Sequence, residues 1–157
     1  MKKKIDWNRH VPLGMDGEKT KNRMARMLRA GIVISLICPL RYVQARSFLF
    51  RTINGVYERN LNAKMLPFEE LLSGSFIGMA SAAVGFLLAI AIFYLYHYQG
   101  SRGIYTMRRL PNRWELWRRC LALPLGFLVL SILCTALLIG LYYLLWRFAT
   151  PPDAFPM

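Results

Sequence analysis

Two long stretches of the chain carry no charged side chain: Leu71 to Ser101 and Cys120 to Trp146. Within them, Leu71–Tyr96 and Leu121–Trp146 are each 26 residues of mostly apolar sequence. A helix needs about 20 apolar residues to cross a hydrocarbon core, so both runs predict membrane-spanning helices with length to spare for tilt. We place them at 71–98 and 120–146. A third apolar run, AGIVISLICPL, starts at Ala30 and meets Arg41. Extended to Phe50 it gives 21 residues between Arg29 and Arg51, about 32 Å of helix, and we place the first membrane helix at 30–50. The alternative is a half-length helix ending at Pro39, followed by an interfacial segment.

Composition supports this pattern. Apolar residues make up 55% of the 157 residues and charged residues 18%, below the roughly 25% of soluble domains. Two all-round apolar helices in a soluble protein need amphipathic partners to cover them, and too little such sequence is left. The expected fold is an all-α integral membrane protein. It has three transmembrane helices, an N-terminal amphipathic segment and a short cytoplasmic amphipathic helix. A secretory signal is not expected at the N-terminus, since polar and charged residues follow MKKK as far as Arg29 before any apolar run. Lipidation patterns are missing at both ends. Cys38, Cys120 and Cys134 lie in or beside apolar runs without metal-ligand spacing and read as small hydrophobes.

The net charge of +13 is a topology signal. Lys and Arg number nine in residues 1–29, five in 40–70, six in 99–119 and one after Trp146. With three crossings, the N-terminus and the 99–119 loop share the more basic side, which the positive-inside rule makes cytoplasmic. The 51–70 loop and the 147–157 tail then lie outside, in a multi-pass membrane protein. No nucleic-acid partner is implied, because base-reading elements are not clustered.

The basic loop has internal order. In YTMRRLPNRWELWRRC, Pro111 punctuates, Asn112 is a helix cap and Glu115 completes a capping box. Trp114, Trp117 and Leu121 then share one face. Arg108, Arg109 and Arg113 flank the turn, and Arg118 and Arg119 join it to the last span. The stretch predicts a short amphipathic helix with its indoles at headgroup depth. Its bland reading is a positive-inside anchor. Its sharper reading is a docking element made of Arg108, Arg109, Arg113, Trp114, Trp117 and Arg118 that presents arginines to a cytoplasmic protein.

The run GSRGIYTMRRLPNRWELWRRCLALPL resembles the loop-and-helix region of small membrane proteins encoded beside bacterial ABC transporter ATPases, and the first cytoplasmic loop of ABC-2-type permeases. The resemblance implies a membrane-spanning subunit of an ABC-type exporter that docks a separate ATP-binding subunit. It also covers the layout of a basic amphipathic segment (Lys19 to Arg29), span, outside loop, span, basic helix and span. An ABC-2 permease half usually has six spans and this chain has three. A second membrane subunit or a homodimer is therefore implied for any pathway. The alternative function is a structural or regulatory membrane subunit of another complex, with a small membrane enzyme ranked last.

Residues 18–29, EKTKNRMARMLR, place Met24, Met27 and Leu28 on one face and basic residues on the other, as in an interfacial helix. Gly74, Gly78 and Ala82 recur every four residues, as do Ser81, Gly85 and Ala89, and such ridges bring helices close together. In a span at 30–50, Arg41 falls about 17 Å from its start, near mid-bilayer, where insertion scales put the cost of an arginine at about 2.5–3.5 kcal/mol. No carboxylate lies in any predicted span, so Arg41 snorkels, faces a hydrated cavity or meets another chain. Arg46 reaches the outer headgroups more readily. Tyr94, Tyr96, Tyr98 and Tyr105 form an interfacial belt, and His97 has no metal-ligand partner at helical spacing. Glu69 and Glu70 suit the first turn of a helix. A phosphate-binding glycine loop and hydrolase motifs are missing. Catalysis and bound cofactors are therefore not expected here, and any ATP belongs to a partner.

Overall fold

The structure, a computed structural model, describes residues 7–12, 14–53, 56–60, 63–99 and 114–155. Three helices in it are long and apolar enough to cross a membrane: Gly17–Ser47, Ile77–Tyr96 and Trp117–Ala149.

The first is made of two pieces, α1 (Gly17–Ser35) and α2 (Ile37–Ser47). Asp16 starts it by accepting the backbone N–H groups of Glu18 and Lys19 at 3.0 and 3.1 Å, which satisfies donors that have no partner inside the helix. The break at Leu36 has a local cause. Pro39 has no N–H to give the carbonyl of Ser35, and its ring crowds that carbonyl. Leu36 accordingly turns tighter, bonding back to Val33 at 3.1 Å. The helix thus begins well before Ala30, and it passes through Pro39 instead of stopping there.

Between the first two of these helices lies more order than a loop. β1 (Phe50–Ile53) pairs antiparallel with β2 (Val56–Arg59), Phe50 opposite Arg59 and Ile53 opposite Val56. A short helix, α3 (Phe68–Leu72), follows, with Glu69 and Glu70 in its first turn. Gly74 then adopts φ +77°, a left-handed value that a Cβ disfavours. This separates α3 from α4 (Ile77–Gln99). The uncharged run from Leu71 is therefore interrupted before the crossing helix starts. Helix α5 (Trp114–Ala149) is 36 residues, about 54 Å, and contains the buried Pro124. Among the described residues, apart from the ribbon and single 3-10 turns, the regular structure is helical.

Helices α1, α4 and α5 pack side by side, α4 running antiparallel to the other two. One core cluster joins Met24 and Leu28 of α1 to Met79, Ala82, Phe86 and Phe93 of α4, and to Cys120 and Leu123 of α5. A second joins Cys38, Tyr42 and Ala45 of α2 to Leu71, Tyr142 and Ala154 beyond the start of α4. Phe86, fully buried, fills the middle of the bundle against Phe127, ring centres 5.7 Å apart.

Candidate functional site

The bundle has two ends, and each gathers a different set of predicted residues. At the near end lie the starts of α1 and α5 and the finish of α4. A 3-10 turn, Trp7–His10, folds onto the start of α1; the Asn8 side chain accepts the Gly17 N–H at 2.9 Å. A Cβ on Gly17 would lie 2.5 Å from the Trp7 carbonyl carbon, so only glycine admits this contact. Lys21 sits 4.7 Å above the Trp7 ring, within reach of its negative face. Trp117 lies 6.1 Å from Tyr94, ring to ring. An aromatic layer therefore closes this end, with basic groups around it.

Of the predicted docking residues, Trp114 is 79% exposed, Trp117 is 52% exposed and Arg118 is exposed. They occupy the first turns of α5 and continue directly into the crossing helix, so over the described residues no separate short helix precedes the span. Arg108, Arg109, Arg113 and the Asn112 cap lie outside the described residues.

The far end is polar inside and aromatic outside. Ser35 Oγ, fully buried, bonds the Ile32 carbonyl at 2.7 Å and lies 3.3 Å from the Tyr142 hydroxyl. About two helical turns beyond Ser35, Tyr42 and Thr150 repeat the arrangement, hydroxyl to hydroxyl at 3.3 Å. Phe68, Tyr143, Trp146 and Phe155 form a ring cluster with centres 5.1–6.2 Å apart. The segment after Trp146 is tied down. The Met65 N–H donates to the Ala154 carbonyl at 2.8 Å, the Trp146 indole donates to the Leu66 carbonyl at 3.2 Å, and Arg147 stacks 4.8 Å from Phe155.

Arg41 belongs to this far end. Its guanidinium donates to the Ser73 carbonyl and lies beside Gly74, in the turn that precedes α4. That corrects a position half-way along a crossing helix: measured against α4, Arg41 lies past its first residue. A backbone carbonyl of the same chain is its partner. A cavity of about 330 Å³ opens beside it, lined by Arg41, Gln44, Phe48, Leu66 and Glu70 among others. Arg46 is exposed in the last turn of α2.

The small-residue ridge is partly revised. Gly74 is in a turn and carries no helix contact of that kind. Gly78 and Ala82 are buried against α1, whereas Gly85 has space for a Cβ, the nearest atom being Met27 Sδ at 3.7 Å. The close approach pairs Gly78 with Gly31, which the reading of α4 alone does not reveal. Gly126 and Gly140 of α5 face open space.

Helix register is the least expected feature. Gly31 meets Gly78, Met27 meets Gly85, and Gly14 meets Tyr96. The basic stretch Lys19–Arg29 therefore runs alongside the middle of α4. Met24 and Leu28 turn inward, while Met27 remains exposed with the cations. Among the described residues no group of three or more His, Cys, Asp or Glu comes together. Comparison with protein-family models, with curated proteins and with solved structures finds no match.

Proposed function

We propose that the chain is a membrane-spanning, non-catalytic subunit of an ABC-type exporter in a bacterial cell membrane. Its near end faces the cytoplasm and docks a separate ATP-binding subunit through Trp114, Trp117, Arg118 and the basic loop before them. The observation that carries the reading is the gathering of exposed Trp114, Trp117 and Arg118 at the end where α1 also begins, on a helix continuous with the last crossing. Aromatic layers at both ends of α4 fit two membrane interfaces. Such an arrangement passes a push on the tryptophan turn directly into α5, whose helix continues through Pro124 to Ala149.

The filled middle of the bundle, with Phe86 fully buried, favours a pathway shared with another membrane chain. The same packing supports a second reading, a structural or regulatory membrane subunit of a different complex. Mild-detergent purification separates the two. The exporter reading expects an ATPase with a phosphate-binding glycine loop to accompany the wild-type chain and to be lost from Trp114→Ala/Trp117→Ala while membrane insertion is retained. Recovery of partner proteins without any nucleotide-binding subunit would sink it.

A further inference from the structure

The register of α1 against α4 creates a charge problem that the isolated chain does not solve. Gly14 is level with Tyr96 and Gly31 with Gly78, so Arg23 lies midway along α4. Helix α4 has no charged residue, and its outer face exposes Val84, Leu87, Leu88, Ile92 and Leu95. If that face meets lipid, the opposite face of the neighbouring α1 lies at the same depth. That face presents Lys19, Arg23, Arg26 and Arg29 along an open groove of about 380 Å³ that also includes Asn22. All five residues are exposed.

Local partners account for only part of this charge. Lys19 pairs with Asp16 at 3.5 Å at the very start of the helix, and Arg29 Nε donates to the Ala25 carbonyl at 3.2 Å. Among the described residues, no carboxylate lies within ion-pair distance of Arg23 or Arg26. Both lie about 8 Å or more along the helix axis from the level of either end of α4. Snorkelling from there is strained, and charges at this depth ordinarily meet partner groups or a water-filled cavity.

We infer that the Lys19–Arg29 face of α1 seats a transmembrane helix of a different protein that carries carboxylates near its middle. A second copy of this chain does not fit. Its eight carboxylates include none between Glu70 and Glu115 and none between Glu115 and Asp153, which leaves α4 and the body of α5 without an acid to offer. Lipid phosphates lie at headgroup level, away from Arg23. A helix with two acids one turn apart matches the Arg23/Arg26 spacing, because residues three and four apart share a face. The inference rests on the chain crossing the bilayer, and not on the identity of the ATPase.

The test uses the full chain in phosphatidylcholine vesicles, with a donor dye at its C-terminus. Three acceptor-labelled leucine-rich transmembrane peptides are added, bearing two central glutamates, two central lysines or leucine alone. Energy transfer is expected to give at least tenfold tighter association with the glutamate peptide than with the leucine peptide. Arg23→Leu/Arg26→Leu is expected to remove the preference, and Arg23→Glu/Arg26→Glu to move it to the lysine peptide. Equal association of all three peptides, association with none, or a preference that survives the substitutions overturns the proposal. So does loss of the glutamate preference on adding phosphatidylglycerol, which would assign the face to lipid headgroups. Alkaline extraction of the same vesicles checks insertion independently: a chain that washes off fails the membrane reading as well.

Discussion

Gly31 on α1 and Gly78 on α4 face each other without side chains, and a Cβ on Gly31 would lie 3.1 Å from the Gly78 carbonyl oxygen. On the other side, a Cβ on Gly78 would fall 2.8 Å from Ile34 Cβ. The two backbones approach as closely as they do only because neither position bears a side chain.

This contact predicts the response to bulk. Gly78→Val and Gly31→Val force a shift of packed backbone and are expected to cost about 1–3 kcal/mol each. Gly85→Ala, where the nearest atom is 3.7 Å away, is expected to be neutral. Thermal unfolding in detergent measures all three. A Gly85 variant as damaged as the Gly78 variant would refute the assigned register.

The buried hydroxyl pair predicts an asymmetry. Ser35 spends its own hydrogen on the Ile32 carbonyl, so Tyr142 is the donor between them. Ser35→Ala leaves a buried phenol without an acceptor and is expected to cost about 1–3 kcal/mol, whereas Tyr142→Phe removes only one bond at about 0.5–1.5 kcal/mol. The double variant should be no worse than Ser35→Ala alone. Equal single-variant losses would show that the hydroxyls do not bond.

Much of the fold is legible in the chain's pattern, and the gaps have physical reasons. The second and third crossings follow from charge-free runs, because lipid tolerates few alternatives to an uncharged helix. The ribbon at Phe50–Arg59 had a signal that the charge count obscures: Asn54-Gly55 between β-prone residues is a strong hairpin pair. The level of Arg41 and of the Lys19–Arg29 face relative to α4 is not legible in the sequence, for another reason. Periodicity says which side of a helix faces inward, but not how far that helix slides along its neighbour. The sliding is set by Gly31 against Gly78, a contact between segments almost fifty residues apart.

The cap at the start of α1 predicts a pH effect. The Lys19 and Glu18 backbone N–H groups and the Lys19 ammonium hold the Asp16 carboxyl below its ordinary value, the Lys19 N–H acting most strongly and partial desolvation opposing them. A lowered folded-state value means that the contribution is complete above the ordinary carboxylate range and is lost as pH falls through the lowered value. Melting temperatures of wild type and Asp16→Asn are therefore expected to differ at neutral pH and to converge in acid. A gap that stays constant with pH would exclude an ionised cap.

Removal of residues 150–157 tests the far end. The truncated chain loses the Tyr42–Thr150 contact, the Met65–Ala154 bond and the Phe155 ring against Trp146. We expect a lower melting temperature and faster proteolysis within 50–68, with cleavage near 100–113 unchanged. Faster cleavage at both places would mean that the tail supports the whole bundle.

The three cysteines give the molecule an internal ruler. Cys120 is buried near one end, Cys134 is half-covered farther along the same helix, and Cys38 is buried toward the other end. No disulfide joins them, so each thiol is a native probe at its own height. The order in which a small membrane-permeant alkylating reagent reaches them would reveal which part of the bundle breathes first, without a foreign residue being introduced.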